Sequence, residues 1–142
     1  MSLPKTNRIA AIDIGTNSFH LIIVEVRKDG ELKFLDKQRE FLRLGSELGE
    51  DLSFISENEK VKAISVLKNF SALAKYHKAN IRAVSTSEKK KKKNKNEFIE
   101  SVCEQTGVKV ETIEGTEEAN LIFLGMKNAL QINDKSVLGI DI

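Results

Sequence analysis

The segment from Arg8 to Val26, Arg-Ile-Ala-Ala-Ile-Asp-Ile-Gly-Thr-Asn-Ser-Phe-His-Leu-Ile-Ile-Val-Glu-Val, sets two apolar, β-branched runs on either side of an Asp, a Gly and a small polar cluster. Such runs, separated by glycine and short polar residues, read as two strands joined by a tight antiparallel turn. Ile9 to Ile14 is nearly continuous in apolar character, as suits a strand covered on both faces, and Phe19 to Val26 reads as its neighbour. A carboxylate leaving the end of a buried strand, here Asp13, can hold a hydrated cation. The Gly15-Thr16-Asn17-Ser18 turn beside it offers backbone N–H groups and short hydroxyls to an anion.

Downstream, the pattern changes from strands alone to strands and helices in turn. Asp29-Gly30 marks a second hairpin, followed by Leu32, Phe34 and a third run through Phe41 to Leu44. Ser56 with Glu59 has the spacing of a capping box, and Ala63, Leu67, Phe70, Ala74 and His77 follow at helical intervals. Ile81 to Ser85 reads as a short strand, Asn96 to Thr106 as a helix stopped by Gly107, and Val108 to Ile113 as a further strand. Gly115-Thr116-Glu117-Glu118 opens a third helix with an acidic first turn, whose apolar positions are Ala119, Ile122, Phe123, Met126 and Leu130. Val137 to Ile142 is a last apolar run with the same Ile-Asp-Ile ending as the first. Three antiparallel strands followed by alternating helices and strands predict a mixed sheet with helices packed against it.

With 142 residues and 40% hydrophobic content, the chain is expected to form one compact domain with a real core. The run Lys89 to Lys93 holds five positive charges, more than the net charge of +2, so the remainder is acidic and no specific nucleic-acid partner is expected. Cys103 is the only cysteine, which excludes an intramolecular disulfide and a multi-cysteine zinc cage. It reads as a small buried side chain on a helix. No run approaches the roughly 18 apolar residues of a membrane span. The expectation is a soluble, cytoplasmic protein without membrane association.

Three segments, in order, resemble the exopolyphosphatase and guanosine pentaphosphate phosphohydrolase family. They are Ala11-Ile12-Asp13-Ile14-Gly15-Thr16-Asn17-Ser18-Phe19-His20, then Gly115-Thr116-Glu117-Glu118-Ala119-Asn120-Leu121-Ile122-Phe123-Leu124-Gly125, and Gly139-Ile140-Asp141-Ile142. The resemblance implies an actin-like ATPase (ribonuclease-H-like) α/β domain, with three antiparallel strands, then parallel ones, and flanking helices. It implies hydrolysis of terminal phosphoanhydride bonds of polyphosphate or guanosine pentaphosphate. Asp13 would hold Mg²⁺ directly or through water, with Asp141 as its counterpart, and Gly15, Thr16, Asn17 and Ser18 would bind phosphate. Glu118 would be the catalytic carboxylate that directs the attacking water.

Taken alone, these residues have plainer readings. Asp before Gly often marks only a strand leaving for a turn, and Glu118 alone is better explained by the helix dipole. The three motifs together favour function. His20 and His77 lack metal-like spacing and read as packing residues. The family carries a phosphate-binding Arg between the strand at Ser85-Thr86-Ser87 and the helix start near Asn94, and here Lys90 stands in its place. Lysine keeps the charge but loses the two-pronged donor. A solvated loop is the better reading of the lysine run than a landing strip for a polyanion, because five adjacent lysines repel one another.

The family continues past Ile-Asp-Ile into a glycine-rich second loop and a second domain. The 142 residues therefore read as an incomplete N-terminal phosphatase domain, with a separate C-terminal half or a second copy as expected partner and weak activity in isolation. Two alternatives stand beside the hydrolase: a non-catalytic module binding polyphosphate or nucleotide, and half of a sugar- or acetate-kinase-like protein.

Overall fold

The computed structural model describes residues 7–42, 54–86 and 93–130. The sheet is built from strands β1 (Arg8–Ile14), β2 (Ser18–Val26), β3 (Leu32–Phe41), β4 (Asn80–Thr86) and β5 (Val110–Ile113), with helices α1 (Glu57–Tyr76), α2 (Lys95–Thr106) and α3 (Gly115–Leu130). The strand order is β3-β2-β1-β4-β5. β2 runs antiparallel to both of its neighbours, while β1 pairs parallel with β4 and β4 with β5. This is the expected ribonuclease-H-like arrangement of a mixed sheet with flanking helices.

Local chemistry sets the elements. The β2–β3 hairpin closes through Arg27 N–H to Glu31 C=O (2.9 Å) and Gly30 N–H to Arg27 C=O (3.0 Å). Gly30 sits at φ 85°, where a side chain would be strained. At the start of α1, the Ser56 hydroxyl accepts from Glu59 N–H at 3.3 Å and the Glu59 carboxylate accepts from Ser56 N–H at 2.8 Å, completing the capping box. α2 ends at Gly107, in the left-handed region at φ 72°. β5 begins at Val110, two residues later than the sequence pattern suggests, and β3 ends at Phe41. The apolar run from Val137 to Ile142 lies outside the described residues.

Alternation along the strands divides the sheet into two unlike faces. Ala10, Ile12 and Ile14 of β1, Phe19, Leu21 and Ile23 of β2, and Ala83 of β4 pack in one cluster with Ala63, Ile64, Leu67, Phe70 and Ala74 of α1 and with Phe98 and Val102 of α2. Both parallel crossovers move the same way across the sheet, so right-handed connection puts α1 and α2 on the same face. There they are tied by the buried Lys60, whose ammonium group reaches Glu57 (2.8 Å) and Glu97 (3.1 Å). The Asn94 side-chain amide adds a second link, accepting from Ile55 N–H and donating to Ile55 C=O, each at 2.9 Å.

The opposite face carries Ile9, Ala11 and Asp13 of β1, paired with Val24, Ile22 and His20 of β2. Phe34, 66% exposed, continues this face onto β3 opposite Val24. The third helix departs from expectation. No α3 residue is buried; of its five expected apolar positions, only Ile122 and Met126 are even half-buried. Among the described residues, no helix is long and apolar enough to cross a membrane.

Candidate active site at the carboxyl edge of the sheet

Parallel strands deliver their following loops to one edge, and in open α/β sheets that carboxyl edge is where ligands are bound. Here β1 runs into the Gly15–Ser18 turn at that edge. Asp13 stands opposite Val84 of β4, and Val84 opposite Glu111 of β5. Two residues farther along, Thr86 pairs with Ile113, the end of β5, level with Gly15. Only Glu114 separates Ile113 from α3. The first turn of α3, with Glu117 and Glu118, therefore starts at the same edge as the turn after β1.

The turn itself is tight. Gly15 N–H donates to Ser18 C=O at 3.1 Å, and the Asn17 carbonyl accepts from Leu42 N–H at 2.9 Å, which fastens the end of β3 to the turn. A Cβ on Gly15 would stand 2.9 Å from the Ser18 carbonyl oxygen, so only glycine fits without a backbone shift. Thr16 and Asn17 are exposed, and their N–H groups make no hydrogen bond among the described residues. Among the described residues, two backbone donors of the turn are thus left without an acceptor, beside a carboxylate.

Asp13 keeps contact with solvent, yet the surrounding strands desolvate its carboxyl enough to push its pKa above the ordinary 3.8; the His20 ring opposite acts the other way. Unlike Asp13, Asp36 on β3 is held below 3.8, first by a hydrogen bond from Gln38 and then by Lys37 N–H and His77. His77 has a side chain only 18% exposed, in keeping with a packing residue. It caps the end of α1 and lies 3.4 Å from the Asp36 carboxylate.

The structure brings Asp13, Gly15, Thr16, Asn17 and Ser18 into one turn and places Glu118 on the same edge. Lys90 and Asp141 lie outside the described residues. Among the described residues, no group of three or more His, Cys, Asp or Glu is arranged as a metal cage. Cys103 sits on α2 but is only half-buried. His20 is a residue that sequence reasoning missed. Its Nε2 lies 2.9 Å from the Ser18 hydroxyl, and its backbone stands directly opposite Asp13. The available signal was its position: in a tight hairpin with Ile14 opposite Phe19, the next pair on the other face is Asp13 with His20.

The sequence model of the Ppx/GppA phosphatase family matches residues 22–142. The chain belongs to this family. The Ppx/GppA assignment is supported by a relative from Fusobacterium nucleatum, a bifunctional 3-dehydroquinate synthase/phosphatase, 35% identical over 124 residues, covering 82% of this chain and 18% of the relative. Among solved structures, the Ppx/GppA family member of Aquifex aeolicus superposes with a TM-score of 0.78 at 30% identity, over 88% of this chain and 40% of that one. An exopolyphosphatase from Cytophaga hutchinsonii superposes with a TM-score of 0.75 at 33% identity, over 84% and 38%. The chain thus spans about two fifths of these solved relatives and under a fifth of the Fusobacterium protein.

Proposed function

We propose that this chain forms one wall of a cleft that hydrolyses terminal phosphoanhydride bonds, with inorganic polyphosphate or guanosine pentaphosphate as substrate. The observation that carries the reading is the meeting, at one sheet edge, of the first turn of α3 with the Gly15–Ser18 turn, whose Thr16 and Asn17 N–H groups have no acceptor among the described residues. Membership of a phosphatase family and similarity to an exopolyphosphatase support it.

In this reading the Thr16 and Asn17 amides and the Ser18 hydroxyl orient the terminal phosphate. Glu118 accepts a proton from the water that attacks the terminal phosphorus in line; the bond from that phosphorus to the bridging oxygen breaks, the shortened chain leaves with the bridging oxygen, and the terminal phosphate is released carrying the water oxygen. His20 fixes the Ser18 hydroxyl through their 2.9 Å contact. The residues suit a divalent cation: Mg²⁺ is commonly bound by one or two carboxylates plus substrate phosphates, and Asp13 supplies a solvent-accessible carboxylate beside the turn. Asp13, with Asp141 as its proposed counterpart, would hold Mg²⁺, which neutralises phosphate charge when bound. Lys90 is the proposed cation of the missing Arg position.

The test is phosphate release from long-chain polyphosphate in the presence of Mg²⁺. The 142 residues by themselves are expected to turn over slowly, since each lost donor facing developing charge costs about a hundredfold or more. Fusion to the remaining length of a solved relative is expected to raise that rate. Glu118→Gln should lower the rate about 100-fold or more in either form. A rate unchanged by Glu118→Gln would remove Glu118 from the chemistry.

A further inference from the structure

We propose that Arg39, braced by Phe41, forms a second phosphate subsite, which takes a phosphate farther along an extended polyphosphate chain whose terminal phosphate lies at the Gly15–Ser18 turn. The inference rests on the reading of that turn given above. Pairing across β1, β2 and β3 sets Asp13, His20 and Arg39 in one row on the face away from α1 and α2. Two strand spacings put the Arg39 backbone about 10 Å from that of Asp13. This is too far to share a phosphate held by the turn through the backbone alone, but suits a neighbour along the same chain. The Leu42–Asn17 hydrogen bond, three residues beyond Arg39, holds the end of β3 in fixed relation to the turn.

The side chain is prepared for an anion. Its guanidinium carbon lies 4.4 Å from the centre of the Phe41 ring, which holds the planar group in place without occupying its N–H donors. Among the described residues Arg8, Arg27 and Arg82 are each paired with a glutamate, Glu25, Glu31 and Glu111. Arg39 has no carboxylate partner among them. The carboxylates flanking it on β3 do not compete, because alternation sends Asp36 and Glu40 to the covered face, opposite Ile23 and Phe19. Lys37, opposite Ile22, extends the positive row along the same face. A stacked arginine with no carboxylate partner among the described residues, beside a phosphate-orienting turn, is the chemistry that recognises an elongated polyanion rather than a single phosphate.

Calorimetric titration of the 142-residue chain with pyrophosphate and with long-chain polyphosphate, both in Mg²⁺, separates the two subsites. Arg39→Ala is expected to weaken long-chain polyphosphate about tenfold, as for loss of a charged hydrogen bond, and to leave pyrophosphate within about twofold. Arg39→Lys should recover only part of the loss, since it restores charge without the stacked fork. Arg39 is exposed, and unchanged melting curves will show that both variants fold. Equal weakening of both ligands, or of neither, overturns the subsite. Retained sensitivity to Gly15→Ala in that case leaves the turn's role standing. If neither ligand binds the unaltered chain, or Gly15→Ala changes nothing, the reading of the turn fails and the subsite with it.

Discussion

The two faces of this sheet are made from the same strands, yet they obey different rules. On the covered face, Ala10, Ile12, Phe19, Leu21 and Ala83 are at most 1% exposed and meet two helices. Polar groups there are matched: Glu59 closes the cap of α1, and Lys60 bridges Glu57 and Glu97. On the other face, Ile9, Leu32 and Phe34 are between 36% and 66% exposed, and the polar residues gather at one end, where Asp13, His20 and Arg39 stand in a row. Two aspartates show the contrast best. Asp36 is surrounded by donors and its pKa is held low, whereas the partial burial of the Asp13 carboxyl outweighs the His20 ring opposite and holds its pKa high. A carboxylate left with an unmet demand for charge compensation is suited to a ligand; one already satisfied is suited to holding the fold.

The covered face should be the one that stability depends on. Leu67→Ala removes a fully buried side chain between α1 and the sheet and is expected to cost about 2–5 kcal/mol, read as a fall in the urea midpoint. The aspartates should move stability in opposite directions. Because the folded pKa of Asp36 is depressed, its contribution is present above 3.8 and disappears as the pH falls through the folded value, so Asp36→Asn should destabilise at neutral pH and flatten the acid limb. Because that of Asp13 is raised, its contribution is present below 3.8 and is lost as the pH rises through the folded value. Asp13→Asn should therefore leave the melting temperature at pH 7 unchanged or higher while weakening pyrophosphate binding. Equal destabilisation by both substitutions would erase the contrast. The smallest effect is expected at Phe34→Ser, within about 0.5 kcal/mol, since the ring is 66% exposed; a larger loss would mean that this face is covered in solution.

Much of this architecture was legible because its signals are local. Asp29-Gly30, the Ser56/Glu59 box and Gly107 each specify backbone geometry within a few residues, and all three stand where the pattern placed them. Helix α3 was legible as a helix but not as an exposed one. Periodicity reports which residues share a helix face, and whether anything lies against that face depends on the rest of the molecule. His20 and Arg39 were missed for a related reason: His20 closes the first motif but read there as a packing residue, Arg39 lies in none, and both gain meaning only from the strand that pairs beside them.

The sequence by itself determined the strand and helix order, the position of the turns and the glycine-dependent Asp13–Ser18 segment, because these follow from side-chain period, capping and backbone freedom over short stretches. Tertiary structure alone decided that the turn after β1 and the start of α3, about a hundred residues apart in the chain, share one edge. It also aligned Asp13, His20 and Arg39 across three strands. Register and strand order are long-range properties, settled by burying one face of the sheet against α1 and α2, and no local pattern encodes them.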